Sequence, residues 1–203
     1  MSKKYRYKKL KKHKKKYIYL EIGAYSLYWV LKFIEQNNDK KWKIHLFEPS
    51  IRGIRRVNNE LKKINNLDIT IYPVAVFNKD AKNFFYEGGR GVGWSSTLFK
   101  GKKRYLKYNN PILVDCIDFN EWVKNNLNKK DYIYVNMDIE GAEYYVLPHL
   151  IKNNTIEYFN ELKIEFHAHK FIGENRNKFD IIHKELKEFF INNKFNLSLF
   201  QHL

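Results

Sequence analysis

Carboxylates stand at or just beyond the ends of four short apolar runs of this sequence: Glu21, Glu48, Asp138 and Glu165. A carboxylate can accept hydrogen bonds from ribose hydroxyls, take a proton as a general base, or bind a divalent cation. His167 adds an imidazole two residues after Glu165, which could serve as a base or a metal ligand. Core packing does not explain acids at four such positions. The sequence therefore predicts an acidic pocket, although the whole chain carries a formal net charge of +16.

The first two of these positions together predict a nucleoside site. Gly23 lets the backbone approach a ligand closely, because it has no Cβ. Glu48, placed 25 residues after Gly23, can accept from both hydroxyls of a ribose. A complete G-x-G-x-x-G pattern is missing, since Tyr25 and Leu27 stand where further glycines are expected. A ligand without a pyrophosphate, such as S-adenosylmethionine, is therefore favoured over a dinucleotide.

Alternating strands and helices must position these residues. Apolar and β-branched runs predict strands at 17–22, 43–47, 69–76, 132–137, 161–166 and 195–200. Helical spacing and capping residues predict helices at 26–37, 51–64, 118–127, 141–152 and 176–193. Short strands at 83–86, 96–99 and 112–117 interrupt this rhythm and predict a β-hairpin insertion. The fold class expected is α/β and Rossmann-like, with a mostly parallel sheet and helices on both faces.

Composition limits the class of protein. The single cysteine, Cys116, excludes an intramolecular disulfide. The sequence contains neither an apolar run long enough to span a membrane nor a signal-peptide pattern, so a cytoplasmic protein is expected. Residues 1–16 hold ten of the 38 lysines and arginines and no acid, which predicts a flexible basic arm that contacts a polyanion or is simply solvated. Residues 17–203 are expected to form a single Rossmann-like domain.

Several of these segments resemble the FkbM-type methyltransferases. The likeness extends from about residue 17 to residue 171, and its most specific part is the D-I-E-G-A-E block within residues 135–147; residues 19–24, 46–49 and 114–122 also match. The resemblance implies a class I methyltransferase fold and S-adenosylmethionine as the cofactor. It implies a cofactor site that comprises Glu21, Gly23, Ala24, Tyr25 and Ser26 around the methionine moiety, Glu48 and Pro49 at the ribose, and Ala75 and Val76 beside the adenine. The second glycine usual in such enzymes is replaced here by Leu27 or its neighbours.

Three interpretations of the acids near the later strands stay open. Asp138, Glu165 and His167 form an oxygen and nitrogen set suited to Mg²⁺ or Mn²⁺, which would lower the pKa of an acceptor hydroxyl. Alternatively, His167 or Asp138 acts directly as the general base. The third interpretation is a hydrogen-bonded cluster that only shapes the pocket. Glu143 is interpreted as a residue that caps or pairs along its own helix.

The acceptor is expected to bind under the loop at 91–97. Trp94 offers a flat face for a sugar ring, Ser95 and Ser96 offer hydroxyls, and Glu140 lies beside Asp138. The stripe formed by Tyr28, Trp29 and Phe33 on the first helix is interpreted as core. The favoured function is O-methylation of a sugar hydroxyl in a glycan or glycoside. The alternatives are an RNA methyltransferase that uses the basic arm and a catalytically silent binding domain on the same fold.

Overall fold

Strands and helices alternate along most of the chain. The structure is a computed structural model that describes residues 14–88, 95–103, 106, 108–193, 195 and 197–200. In chain order its strands and helices are β1 (Tyr17–Ile22), α1 (Tyr28–Gln36), β2 (Trp42–Phe47), α2 (Ile51–Leu61), β3 (Asp68–Tyr72), β4 (Ala75–Phe77), β5 (Ala81–Phe85), β6 (Ile112–Asp118), α3 (Phe119–Asn126), β7 (Tyr132–Met137), α4 (Glu143–Lys152), β8 (Glu161–Glu165), α5 (Gly173–Asn192) and β9 (Leu197–Phe200).

Six strands form a parallel sheet in the order β3-β2-β1-β7-β8-β9. The chain first adds β2 and β3 on one side of β1 and later returns to place β7 on the other side. At the carboxyl edge, Ile22 is in register with Phe47 of β2 and with Met137 of β7. The point where the strand order reverses is therefore at β1, which is where a ligand binds in sheets of this kind. The predicted α/β fold class is confirmed.

The sheet is covered on both faces because successive side chains of a strand point in opposite directions. Leu20 of β1 belongs to the core that contains Leu147 of α4 and Phe179 of α5. Its neighbour Tyr19 belongs to a second core that contains Val57 of α2. Helices α3, α4 and α5 thus cover one face, and α1 and α2 cover the other.

Side-chain caps fix the start of two helices as the sequence predicted. The Ser50 hydroxyl accepts from the backbone N–H groups of Arg52 and Gly53 and begins α2. The Asp118 carboxylate accepts from the N–H of Glu121 and begins α3. Caps of this kind satisfy donors that the first helical turn would otherwise leave unpaired.

The predicted strand at 69–76 is wrong, because the chain divides there into β3 and β4. Pro73 lies between them and has no N–H to donate to a ladder. Strand β4 joins a small sheet of order β4-β6-β5, in which β5 is antiparallel to β6. This sheet is the predicted insertion. Its predicted strand at 96–99 is reduced to a single bridge between Tyr86 and Thr97.

The amino-terminal segment is described only from Lys14 onward. The backbone N–H of Lys16 donates to Asp131 at 2.9 Å, and the carbonyl of Lys16 accepts from Tyr132, which attaches this point to β7. The rest of the predicted basic arm, residues 1–13, lies outside the described residues. Among the described helices, none combines the length and the apolar character that crossing a membrane requires.

Candidate active site

A cavity of about 670 Å³ opens at the carboxyl edge of the main sheet. Glu48 and Asp138 both line it, so the carboxylates that follow β2 and β7 share one cleft. Its predicted ligand-binding residues are Gly23, Ala24, Tyr25, Ser26, Glu48, Pro49, Ala75, Val76, Ser95, Ser96, Asp138, Glu140 and Glu165. The part of the cavity around Gly23, Glu48 and Val76 is called here the Glu48 end, and the part around Asp138, Glu140 and Glu165 the Asp138 end.

At the Glu48 end, backbone groups hold the key carboxylate. Glu48 is 4% exposed, and its two oxygens accept from the N–H of Ser50 at 2.7 Å and of Tyr25 at 2.8 Å. Burial raises the pKa of Glu48 to about 7, although these two hydrogen bonds favour the ionised form. The carboxylate is therefore fixed in place and is near the midpoint of its titration at neutral pH.

Gly23 is required by the protein backbone itself. Its φ is +89°, and a Cβ placed there would lie 1.9 Å from the carbonyl oxygen of Asp138. The sequence predicted that a ligand approaches Gly23 closely. Here the backbone of Asp138, just after β7, makes that close approach, so the chain segments that follow β1 and β7 lie side by side. Tyr25 takes a φ of +31° in the segment where the expected second glycine is missing. A non-glycine residue carries a steric cost in this conformation.

Gly53 in α2 is a functional candidate that the sequence interpretation missed. A Cβ at Gly53 would lie 2.6 Å from Cγ and Cδ of Glu48. The absence of a side chain at this position therefore makes room for the Glu48 carboxylate. A glycine inside a helix costs stability relative to alanine, so a glycine at the third position of the predicted helix at 51–64 was the available signal.

Glu21, predicted to lie beside the cofactor, does not line the cavity. Its side chain is 1% exposed and accepts from the hydroxyl of Tyr19 and from Nδ2 of Asn136, the latter at 2.8 Å. Burial raises the pKa of Glu21 to about 8, against the effect of both hydrogen bonds. The carboxyl group is thus protonated at neutral pH and supports the tip of β1 from within the protein.

At the Asp138 end, one buried imidazole collects four carboxylates. His167 is 0% exposed; its Nδ1 lies 3.1 Å from Glu143, and its Nε2 lies 3.2 Å from Asp138, 3.2 Å from Glu165 and 3.3 Å from Glu140. Burial lowers the pKa of His167, but the surrounding carboxylates outweigh it and raise the pKa well above its usual value. His167 is therefore a cation at neutral pH, and it lies behind the cavity wall.

Glu143 supports this imidazole from α4. One of its oxygens accepts from the backbone N–H of His167 at 2.9 Å and faces Nδ1, while the other accepts from the N–H of Gly141 at 2.8 Å. The interpretation of Glu143 as a residue that pairs along its own helix was incomplete, because its main partner comes from the segment after β8.

Two lysines that the sequence interpretation missed complete the Asp138 end. The ammonium of Lys102 contacts Glu140 and donates to the carbonyl of Ser95 at 2.8 Å. The ammonium of Lys170 lies 2.9 Å from Glu165 and 3.6 Å from Glu140. Burial raises the pKa of Glu165, but His167 and Lys170 reverse this and lower it to about 2. No sequence pattern marks Lys102, which lies far from the D-I-E-G-A-E block.

Two of the three predicted metal ligands lie in a group of side chains whose spacing suits a metal ion. Ligand atoms of Asp138, Glu140 and His167 lie within 4.8 Å of one another, a spacing compatible with a metal ion. The prediction named Glu165 in place of Glu140, and Glu165 is also within 3.2 Å of Nε2. Among the described residues, His167 Nε2 and Asp138 Oδ1 are buried and have no well-directed hydrogen bond. A divalent cation at this cluster stays a prediction.

The acceptor side of the cavity differs from the expectation. Trp94 lies outside the described residues, whereas Ser95 and Ser96 line the cavity as predicted. Tyr28 and Trp29, interpreted as core, also line it, and Tyr28 is 59% exposed. Their rings are in edge contact with centroids 5.0 Å apart. The first helix thus presents aromatic surface to the cavity. Another lining residue that was not assigned a role is His169.

Comparison with known proteins identifies the family. The model of the methyltransferase FkbM domain matches residues 21–191, which is most of the chain. The chain belongs to the FkbM methyltransferase family. The resemblance inferred from the D-I-E-G-A-E block is therefore confirmed. No curated protein sequence matches the chain.

A solved structure shares the fold of this FkbM-family chain. The crystal structure of methyltransferase FkbM from Methylobacillus flagellatus KT superposes with a TM-score of 0.50 at 12% sequence identity. The match covers 87% of this chain and 37% of that one, so the chain spans little more than a third of the length of its structural neighbour. At this identity the likeness supports the Rossmann-like fold alone.

Proposed function

We propose that this chain is an S-adenosylmethionine-dependent O-methyltransferase whose acceptor is a sugar hydroxyl. The observation that carries the proposal is the shared cavity, which is lined both by a carboxylate suited to bind a ribose and by a carboxylate able to accept a proton. The family supports methyl transfer as the reaction class. The cofactor, the oxygen acceptor and the roles of residues are inferred from the chemistry of the lining.

The Glu48 end suits an adenosyl group. Glu48 can accept from ribose hydroxyls, and its position is fixed by two backbone donors. Ala75 and Val76, which are 5% and 3% exposed, supply the apolar wall that an adenine requires. The segment from Gly23 to Ser26 follows β1 and lines the same cavity. S-adenosylmethionine, when bound, supplies an activated methyl group.

Asp138 is the proposed general base. Its side chain is 36% exposed and lines the cavity, whereas His167 behind it is fully buried. Desolvation raises the pKa of Asp138. The nearby His167 opposes that rise, because it stabilises the ionised carboxylate. A carboxylate with a raised pKa takes a proton from an acceptor hydroxyl more readily than an ordinary one. His167 is a positioning residue, since it contacts Asp138 and does not line the cavity. This step needs no Mg²⁺ or Mn²⁺.

The lining of the Asp138 end is typical of carbohydrate sites. Trp29 and Tyr28 provide aromatic faces, while Ser95, Ser96 and Glu165 provide hydroxyls and a carboxylate. Sugars combine an apolar ring face with a rim of hydroxyls, so they match this mixture of aromatic and hydrogen-bonding groups. The RNA alternative depends on the basic arm at residues 1–16, of which the structure describes only 14–16, and no described contact favours it.

The test compares binding with turnover. Titration calorimetry with S-adenosylhomocysteine should show one site, and labelled methyl groups should be transferred to at least one member of a glycoside panel. Asp138→Asn should reduce transfer by about 10²–10⁴-fold, as loss of a general base does, with the affinity for S-adenosylhomocysteine nearly unchanged. The control is Asp115→Asn, which removes an exposed carboxylate paired with Lys82 in the small sheet.

Three results would contradict the proposal or a part of it. Absence of S-adenosylhomocysteine binding by folded protein would favour the silent binding domain. Full activity of Asp138→Asn would remove Asp138 from the reaction. Transfer to RNA but to no glycoside would replace the sugar acceptor with the RNA alternative.

A further inference from the structure

An ammonium group is enclosed within the carboxylates of the Asp138 end. The side chain of Lys102 is 0% exposed, and its Nζ contacts Glu140 and the carbonyl of Ser95. Burying an ammonium costs several kcal/mol unless charged and polar partners compensate. The residue is therefore held at this cluster by specific contacts and does not merely extend from a surface loop.

The backbone delivers Lys102 to a fixed position. Lys102 forms an antiparallel bridge with Phe171, the N–H of Ile172 donates to Gly101 at 2.8 Å, and the N–H of Lys103 donates to Lys170 at 2.8 Å. The same short pairing therefore carries both lysines of the cluster, Lys102 on one segment and Lys170 on the other. Their ammonium groups approach Glu140 through different oxygens, Oε2 and Oε1 respectively.

Lys102 contacts the carboxylate oxygen that a metal ion at this cluster would use. A cation held by Asp138, Glu140 and His167 would use a Glu140 oxygen, and the oxygen that faces His167 Nε2 is Oε2, the one that Lys102 contacts. Two cations on one carboxylate oxygen repel each other strongly in a buried site. Behind the imidazole, Glu143 faces Nδ1, the arrangement that orients histidine ligands in metal sites. The cluster thus has the ligands of a metal centre and an ammonium in place of the metal.

We propose that Lys102, assisted by Lys170, takes the place of a divalent cation at this cluster. The chain then needs no metal for the methyl transfer proposed above, on which this part of the inference rests. Removal of the Lys102 ammonium creates a Mn²⁺ site formed by Asp138, Glu140 and the buried Nε2 of His167, which releases its proton to solvent when the metal binds.

The experiment measures Mn²⁺ binding directly, by the loss of the electron paramagnetic resonance signal of free Mn²⁺. Lys102→Met should bind one Mn²⁺ at least about tenfold more tightly than the unmodified chain, equivalent to roughly 1.4 kcal/mol. Lys103→Met is the matched control, because Lys103 is the next residue and is exposed; it should behave like the unmodified chain. Adding Asp138→Asn to Lys102→Met should abolish the tight site.

Each result decides the proposal. Tight Mn²⁺ binding by the unmodified chain that Asp138→Asn removes would overturn it, as would a folded Lys102→Met protein that binds no Mn²⁺. Lys102→Gln, which keeps a polar head group, replaces Lys102→Met if circular dichroism shows that the methionine variant is unfolded. Stimulation of methyl transfer by Mn²⁺ in the unmodified chain would also contradict it. S-adenosylhomocysteine titration separately tests the proposed function, so the two failures are distinguishable.

Discussion

The two ends of the cavity hold their carboxylates in different ways. At the Glu48 end, one carboxylate accepts from the backbone N–H groups of Tyr25 and Ser50. At the Asp138 end, carboxylates are held by the side chains of His167, Lys102 and Lys170. Backbone donors are present whatever the sequence, whereas a side-chain cation can be lost by one substitution. The Asp138 end should therefore be far more sensitive to mutation.

The largest effect is expected from His167→Ala. The imidazolium lies within 3.3 Å of carboxylate oxygens of Asp138, Glu140 and Glu165, and its removal leaves these acids without their shared cation. Breaking a buried charge pair in this way costs about 3–5 kcal/mol of unfolding free energy. For a protein of this size the Tm should fall by about 10 °C, measured by calorimetry or by circular dichroism.

His169→Ala is the control for that comparison. His169 lies two residues further along the chain, is exposed, and should change the Tm little, since surface substitutions are usually within about 0.5 kcal/mol. Equal and small effects of both substitutions would show that His167 is not what holds the cluster together.

A smaller effect is expected from Glu21→Gln. This substitution tests a buried carboxyl group that is hydrogen-bonded to two neutral side chains and interacts with a lysine at longer range. The pKa of Glu21 is raised to about 8 in the folded protein from an ordinary value of 4.5. The stabilising proton is fully present below about 4.5, and the stability it contributes is lost as the pH rises toward 8. Each pH unit in this window costs about 1.4 kcal/mol, so the unmodified chain should lose on the order of 2 kcal/mol between about pH 5.5 and pH 7.5.

The glutamine variant should show a flatter dependence of unfolding free energy on pH. It cannot ionise, and its amide can still form hydrogen bonds with the side chains of Tyr19 and Asn136 that contact Glu21. Some slope should remain because the pKa of Glu48 is also raised, to about 7. The unfolding free energies are measured by urea denaturation across this pH range. If they depend on pH in the same way for the two proteins, Glu21 is ionised in the folded chain.

The sequence predicts the Glu48 end better than the Asp138 end. Gly23 and Glu48 follow adjacent strands, and the rule that parallel strands end at one edge is enough to bring them together. The order of strands and helices was likewise predictable, except where Pro73 divides a strand and where the strand expected at 96–99 is a single bridge. At the Asp138 end, the pattern could not reveal Lys102, because its place depends on a short pairing with Phe171 that no local propensity encodes.

The interpretation of single side chains failed for a related reason. Glu21 and Asp138 both follow the same strand-end pattern, yet Glu21 is bound inside by Tyr19 and Asn136 while Asp138 faces the cavity. Glu21 lies inside β1, in register with Asn136, whereas Asp138 comes two positions later, just past the last residue of β7. A difference of two positions keeps the same face of the sheet but separates a supporting residue within the sheet from a lining residue beyond its edge.

The smallest effect, and the one that sharpens the comparison at the Glu48 end, is expected from Gly53→Ala. In an ordinary helix this substitution stabilises by up to about 1 kcal/mol, but here the new Cβ would lie 2.6 Å from Cγ and Cδ of Glu48. Glu48 must move, and the affinity for S-adenosylhomocysteine should fall roughly tenfold, about 1.4 kcal/mol, while the Tm changes little. Asn59→Ala, an exposed position on the same helix, should leave the affinity unchanged. Unaltered affinity in Gly53→Ala would mean that the two backbone donors do not fix Glu48 as tightly as its geometry indicates, and the contrast between the ends would lose its basis.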